Sequence, residues 1–263
     1  MRPEQHSSGF TLLEIIVAMT LLSILAGAAA PYAVQQVRGA RVRLTQERMR
    51  AVVQAMTGDP SASYYGYVAD FGELPPTLTD LNQINGKPVY VVDAVDAIGS
   101  GYNGPYVANP TPTSLDDAWG TPLRYVAGIA QVSSAGADRD FGTADDLVFP
   151  DSAAGTSGSL TVNLTGIPND GGVACLLGED DADVFVAFSQ SGIRMERQLT
   201  GVIGAPGPFI DGSLHSGLHG LRVLGQANWA GATTRDVVEV YRGAVQRRVA
   251  LTQPVGPPAG CGP

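Results

Sequence analysis

The chain has 263 residues, and its 25 acidic side chains outnumber its 16 lysines and arginines, which gives a formal net charge of −9. Residues 1–50 hold six basic side chains against three acidic ones, whereas the rest of the chain holds ten against 22. The strongly acidic portion after residue 50 repels a phosphate backbone, which argues against nucleic acid as a partner. Abundant glycine and proline with few charged residues is typical of a domain rich in strands and loops.

The N-terminal residues combine a short polar leader, which ends at Gly9, with an apolar run from Phe10 to Pro31. Glu14 is the one charged residue in this run. A carboxylate at the centre of a membrane-spanning helix costs about 2.5–3.5 kcal/mol on insertion scales, and such residues usually pair with an opposite charge. Glu14 is therefore predicted to meet a positive charge within the membrane.

Residues 9–14, Gly-Phe-Thr-Leu-Leu-Glu, resemble the processing site of type IV pilins and of type II secretion pseudopilins. The resemblance implies that a prepilin peptidase cuts between Gly9 and Phe10 and that the new N-terminal residue is methylated. It further implies that Glu14 pairs with the Phe10 amine of a neighbouring subunit inside a helical bundle. Pro31 stands where the helix of this family bends or melts on assembly, because proline removes a helical hydrogen bond.

The same resemblance implies where the protein resides and what it contacts. It predicts a single-pass protein in the lipid of the inner membrane, with its head in the periplasm. The protein would assemble with copies of itself and with other pilins or pseudopilins on an inner-membrane platform. Two alternatives are a plain membrane anchor and a secretory signal cleaved after Ala28-Ala29-Ala30.

Basic residues after the span point to the opposite orientation. The positive-inside rule would place the C-terminal side in the cytoplasm, since only Arg2 precedes the span and the arginines that follow it are Arg38, Arg41, Arg43, Arg48 and Arg50. The processing motif predicts the reverse, and it combines a cleavage site, a glutamate, a span length and a proline.

The helical pattern continues beyond Pro31. Apolar side chains at helical spacing form one stripe, which consists of Val42, Met49, Val52, Val53 and Met56. The sequence Thr-Gly-Asp-Pro at residues 57–60 then ends the helix. The stripe predicts that the second half of the helix lies against a globular head.

The predicted fold class is α+β: a long N-terminal helix packed on a small antiparallel sheet, with an additional β-rich C-terminal module. The predicted segments are a leader at 1–9, a membrane-spanning or filament-core helix at 10–31, an amphipathic helix at 32–57, a head at 58–151 and a β-rich module at 152–263.

Three strings in the head resemble landmarks of major pseudopilins. They are Gly-Glu-Leu-Pro at 72–75, Gly-Pro-Tyr at 104–106 and Asp-Ala-Trp-Gly-Thr-Pro-Leu-Arg-Tyr at 117–125. Ala118 and Thr121 stand where the family commonly has proline and asparagine. Such strings precede a small antiparallel sheet in the family, and we expect Trp119 to anchor the core beside a turn.

An acidic stretch of nine residues holds Asp138, Asp140, Asp145 and Asp146. Hard oxygen ligands on a loop are what Ca²⁺ selects, although the glycine and glutamate positions of an EF-hand are missing. The stretch resembles the calcium loop of major pseudopilins, in which Arg139 would replace the usual glycine. The resemblance implies Asp138 and Asp145 as the leading ligands and Asp140 and Asp146 as the next. The alternative is a solvated acidic turn.

The sequence after residue 152 predicts a small β-sandwich. Strand-like runs occur at 160–164, 184–188 and 218–224, and a hairpin is predicted from 237–241, Arg242-Gly243 and 244–251. His215 and His219 have the i, i+4 spacing of zinc ligands, but they lie in a predicted Ser/Gly-rich loop and lack the glutamate of a His-Glu-x-x-His site, so no zinc site is predicted.

Two cysteines, Cys175 and Cys261, lie far apart without metal-type spacing. A disulfide that ties the C-terminus to the domain is predicted for an oxidising compartment, and two unpaired thiols are the alternative.

No catalytic motif is present: the sequence has no phosphate-binding glycine loop followed by lysine and no nucleophile elbow. The leading hypothesis is therefore a structural filament subunit rather than an enzyme. The competing hypothesis is a membrane-tethered or filament-tip binding module, either an adhesin or a β domain that recognises an exported substrate.

Overall fold

The computed structural model describes residues 11–62, 64–108, 110–111, 113–152, 155–201, 207–241 and 243–253. The fold is α+β, as predicted: one long helix is followed by antiparallel sheets and a β-rich C-terminal region. Helix α1 is Leu12–Thr57 and helix α2 is Gly66–Phe71. The strands are β1 (Val91–Val92), β2 (Gly99–Ser100), β3 (Arg124–Val126), β4 (Gln131–Ser134), β5 (Leu147–Phe149), β6 (Ser157–Ile167), β7 (Cys175–Leu177), β8 (Ala182–Gln190), β9 (Ile193–Leu199), β10 (Phe209–His215), β11 (Gly217–Gly225), β12 (Thr233–Val240) and β13 (Gly243–Thr252).

Helix α1 has a defined cap at each end. The hydroxyl of Thr11 accepts a hydrogen bond from the backbone N–H of Glu14 at 3.3 Å, which satisfies one of the unpaired donors of the first turn. Gly58, at φ 78°, ends the helix and donates its backbone N–H to the carbonyl of Gln54 at 2.8 Å. The helix continues through Pro31, so the predicted long helix and its end are confirmed.

The two halves of α1 have different surroundings. The apolar side chains of residues 12–25 are exposed, whereas Met49, Val52, Val53 and Met56 are at most 5% exposed. Val42, the remaining member of the predicted stripe, is half-buried. The amphipathic half therefore contacts the head, as its apolar spacing predicted.

The head surrounds this buried half of α1. Strands β3, β4 and β5 form an antiparallel three-stranded sheet, and β4 and β5 contact the helix. Tyr67 and Phe71 of α2 stack with ring centroids 4.3 Å apart and belong to the same core cluster as Met49 and Val132. The small sheet of the predicted head is thus present.

The C-terminal region is a sandwich of two four-stranded sheets. One sheet has the order β10-β6-β13, with β7 also paired to β6, and the other has the order β12-β11-β8-β9. Alternate residues of β6, among them Leu160, Val162 and Leu164, are buried, which is the pattern of a strand with one face on a core. Trp229 is 1% exposed and belongs to the shared core cluster.

The predicted hairpin between 237–241 and 244–251 is wrong. Strand β12 pairs with β11 in one sheet, whereas β13 pairs in parallel with β6 in the other sheet, from Gly243 opposite Gly158 to Thr252 opposite Ile167. The chain crosses between the two sheets at this point because the apolar side chains of both strands, such as Val240 and Leu251, then share one core.

Candidate functional site

The apolar N-terminal half of α1 is the segment that the sequence predicts to span the membrane or to form the filament core, and its side chains are described from Thr11 to Gly27. Its side chains are exposed throughout, including Leu12 at 77% and Leu25 at 66%. Helix α1 is long and apolar enough to cross a membrane by length and composition. An apolar helix face of this extent needs lipid or neighbouring helices as its environment.

Glu14 lies in the first turn of α1, beside the Thr11 cap. A carboxylate in the first turn is favoured by the helix dipole. Its predicted partner Phe10, the cleavage site after Gly9 and the whole predicted leader lie outside the described residues.

The second half of α1 is fastened to the head through the Asp-Ala-Trp-Gly string. The guanidinium of Arg48 donates hydrogen bonds to the backbone carbonyls of Asp116 and Asp117, each at 3.0 Å. The backbone N–H of Ala118 donates to the hydroxyl of the buried Thr45 at 3.0 Å. These contacts fix the turn against the helix.

Asp117 organises this turn from inside. Its carboxylate is 1% exposed and accepts hydrogen bonds from the backbone N–H groups of Trp119 and Thr121, each at 2.9 Å, and from the hydroxyl of Ser134 at 2.7 Å. Trp119 is 8% exposed, so it is buried beside the turn as expected. The string has a structural role here.

The acidic loop between β4 and β5 is held by its own carboxylates. The side chain of Asp145 accepts hydrogen bonds from the backbone N–H of Ala137 at 2.7 Å and from the hydroxyl of Thr143 at 2.9 Å. These donors, the Thr143 hydroxyl first, lower the pKa of Asp145. Arg139 adopts φ 65°, in the left-handed region that favours glycine.

The structure brings two of the four predicted calcium ligands together. The backbone N–H of Asp138 donates to the carboxylate of Asp145 at 3.3 Å, and both residues line a groove of about 430 Å³ against α1. Asp140 and Asp146 are absent from its lining, which comprises Arg38, Val42, Trp119, Ala137, Asp138 and Asp145. Within the described ranges, no group of three or more acidic, histidine or cysteine side chains surrounds a single point. A cation in this groove would therefore need backbone carbonyls to complete its shell.

The two histidines lie in strands and not in the predicted loop. His215 ends β10, His219 lies in β11, and both rings are buried.

Cys175 lies in β7 and is disulfide-bonded. Its predicted partner Cys261 lies outside the described residues.

A tyrosine-lined pocket that no sequence motif predicted lies between the head and the sandwich. The pocket contains the half-buried carboxylate of Asp70. One signal was available, since six of the nine tyrosines fall between residues 64 and 106.

Comparison with known families identifies the N-terminal segment. Residues 5–30 match the family model described as the prokaryotic N-terminal methylation motif. This segment therefore carries an N-terminal methylation motif. The matched residues include Gly9, Phe10 and Glu14.

Two solved structures resemble parts of this chain. The TIE protein of Bacillus anthracis is 17% identical, the match covers 41% of this chain and 18% of that one, and the TM-score is 0.29. GBS52, the minor pilin of the Gram-positive pathogen Streptococcus agalactiae, is 11% identical, with coverage of 60% and 66% and a TM-score of 0.30. This chain thus spans less than two thirds of either protein, and likenesses this weak carry no argument. No curated protein matches the chain significantly.

Proposed function

We propose that this protein is a structural subunit of a type II secretion pseudopilus or a type IV pilus-like filament. The observation that carries the proposal is the methylation motif at 5–30, which runs directly into a helix whose first half is apolar and exposed. The second half of the same helix is buried in the head. This division supports a helix that packs against lipid or other subunits at one end and holds a globular domain at the other.

Processing and orientation follow from this role. A prepilin peptidase cuts between Gly9 and Phe10, the Phe10 amine is methylated, and the amine pairs with Glu14 of a neighbouring subunit. The head then lies in the periplasm. The arginines after the span favour the opposite orientation by the positive-inside rule, but two of them have structural contacts in the head. Arg48 donates to backbone carbonyls of the head, and the guanidinium of Arg50 lies 5.7 Å from the centroid of the Phe149 ring.

The acidic loop gives the head a calcium site in this proposal. Asp138 and Asp145 are the leading ligands because they share the groove against α1. Bound Ca²⁺ would offset the repulsion between the two carboxylates. Asp140 and Asp146 contribute at most as outer partners, since they do not line this groove.

A second candidate role is a binding module at a filament tip or on the membrane. The observation that favours it is the size of the C-terminal sandwich, which has a hydrophobic core cluster separate from that of the head. Quantifying the chain in sheared filaments distinguishes the two roles: a major subunit is plentiful along the filament, whereas a tip module is rare.

Intact-mass measurement of membrane-purified protein tests the filament proposal. The expected mass is that of residues 10–263 plus one methyl group, and cells without the prepilin peptidase should yield the uncleaved mass. A mature chain that starts after Ala30 would mean a secreted protein and would overturn the proposal.

A further inference from the structure

A small pocket of about 180 Å³ lies where the head meets the sandwich. Three separate segments build it: Asp70 comes from α2, Tyr90 and Tyr106 come from the segment between α2 and β3, and Leu218 comes from β11 of the sandwich. Tyr64 and Tyr65 complete the aromatic lining.

Asp70 is the unusual member of this pocket. Its carboxylate accepts a hydrogen bond from the hydroxyl of Tyr106 at 2.8 Å, and the ion pairs found among the described residues do not include it. Burial raises the pKa of Asp70 to about 6, although the Tyr106 hydroxyl opposes this shift. Asp70 is therefore mainly ionised at neutral pH, and no cationic side chain of the described residues forms an ion pair with it.

Four other shielded carboxylates among the described residues have compensating partners. Asp80 pairs with Lys87, Asp96 with Arg194 and Asp211 with Arg197, whereas the carboxylate of Asp117 accepts three hydrogen bonds. A shielded charge without such a partner is costly, and groups of this kind concentrate at binding sites.

The tyrosine rings around Asp70 are held in place. A Cβ atom on Gly99 would lie 1.9 Å from the hydroxyl oxygen of Tyr90, so the ring of Tyr90 occupies the space that a side chain at 99 would need. The hydroxyl of Tyr64 donates to the backbone carbonyl of Tyr106 at 3.1 Å. Burial first, and then the charge of Asp70, raises the pKa of Tyr64 to about 12, so its ring stays neutral.

We propose that this pocket binds the ammonium head of a small organic cation, with Asp70 as the counter-ion and the tyrosine rings as the surrounding cage. Aromatic faces attract ammonium groups electrostatically, and the attraction strengthens where water is excluded. A neutral sugar would stack on the same rings but would leave the charge of Asp70 unbalanced. The ammonium group belongs either to a quaternary amine such as choline or to a lysine side chain. This binding role goes beyond filament assembly and does not depend on it.

Calorimetric titration of the full chain in dodecyl maltoside at pH 7.5 tests the proposal. The probes are choline, N-acetyl-lysine methylamide, the uncharged choline isostere 3,3-dimethyl-1-butanol and glucose. We expect at least one of the two ammonium probes to bind at least tenfold more tightly than both neutral compounds. The tighter of the two ammonium probes identifies the source of the ligand.

The variant Asp70→Asn keeps an oxygen that can accept from Tyr106 but removes the charge. We expect it to bind the preferred ammonium probe at least tenfold more weakly and to melt no lower than the parent, because an uncompensated charge has been removed. Asp151→Asn, an exposed position outside the pocket, should bind like the parent. The affinity of the parent should also fall below about pH 6, as Asp70 becomes protonated.

Three results would overturn the proposal. They are the failure of both ammonium probes to bind, equal binding of either neutral compound, and unchanged affinity in Asp70→Asn.

Discussion

The imidazole rings of His215 and His219 lie with their centroids 4.7 Å apart in a buried corner of the sandwich. The Nε2–H group of His219 donates to the backbone carbonyl of His215 at 2.8 Å. Nδ1 of His219 and Nε2 of His215 are buried without a hydrogen-bond partner in the part of the chain that the structure describes. Protonation of either ring therefore lowers the stability of the folded state.

Stability should decrease as the pH falls below about 6.5. Burial is the main cause that lowers the pKa of both rings, that of His219 to about 4. The charge of Arg197 lowers both pKa values further, and the neighbouring His219 also lowers that of His215. The charge of Asp211 partly opposes the shift at His219. The unfolded chain binds protons near pH 6.5 and the folded chain does not, so each histidine removes about 1.4 kcal/mol of unfolding free energy per pH unit below that value. Urea unfolding of a soluble fragment, residues 32–263, measures this slope between pH 7.5 and 5.

His219→Gln should flatten the slope, because the glutamine amide can donate to the same carbonyl but does not titrate. Asp70 contributes to the pH dependence of stability with the opposite sign. Because its pKa is raised, the folded chain takes up a proton below about pH 6, and this uptake stabilises the folded state. Asp70→Asn should therefore steepen the slope. Equal slopes in the parent and in His219→Gln would contradict the assignment to the buried histidines.

Glu14→Ala should stop filament assembly and leave the head intact. The carboxylate is exposed on α1, far from the buried stripe that begins near Val42. In the proposed filament, its loss would leave the amine of a neighbouring subunit without a partner. Breaking a buried ion pair costs about 3–5 kcal/mol. Sheared-filament and inner-membrane fractions from cells should show the variant accumulating in the membrane. Glu47→Ala, an exposed carboxylate on the same helix, is the matched control. Incorporation of Glu14→Ala at the level of this control would disprove the role of Glu14.

Calcium should raise the melting temperature of the head. A ligand at a hundredfold excess over its Kd stabilises the folded state by about 2.7 kcal/mol. The double variant Asp138→Asn with Asp145→Asn should lose this increment, whereas Asp140→Asn with Asp146→Asn should retain most of it, because only the first pair lines the groove. Melting curves of the fragment in calcium and in chelator provide the measurement. Identical curves for the parent under both conditions would refute the site.

Gly166→Ala should destabilise the sandwich by about 1–3 kcal/mol, the typical cost of overpacking a core. A Cβ atom on Gly166 would lie 2.4 Å from the indole of Trp229, which is 1% exposed. Gly212→Ala is the control, because its Cβ would have no neighbouring atom within 4 Å. Chemical unfolding of both variants gives the comparison, and equal midpoints would show that the core adjusts around Trp229 at no cost.

The sequence by itself determined the features that depend on neighbouring residues. The span of α1 follows from an apolar run and then from helical spacing, and its end follows from Gly58, which adopts a φ that favours glycine. The processing motif is likewise contiguous. The strands centred on Leu160 to Leu164, Val184 to Phe188 and Leu218 to Leu224 were predicted from local runs for the same reason.

Only the tertiary structure decided which strands are neighbours and which side chains meet. The apolar patterns of residues 237–241 and 244–251 are equally compatible with a hairpin and with a connection between the two sheets. The crossing results because β13 gains a long parallel pairing with β6 and a place in the shared core. The glycine and serine around His215 predicted a loop, but pairing with β6 and β12 buries both histidines in strands. The pocket around Asp70 likewise depends on tertiary structure, because Leu218 of β11 joins Tyr90 and Tyr106 in its lining. Burial and charge compensation depend on contacts between distant segments, and local sequence does not encode them.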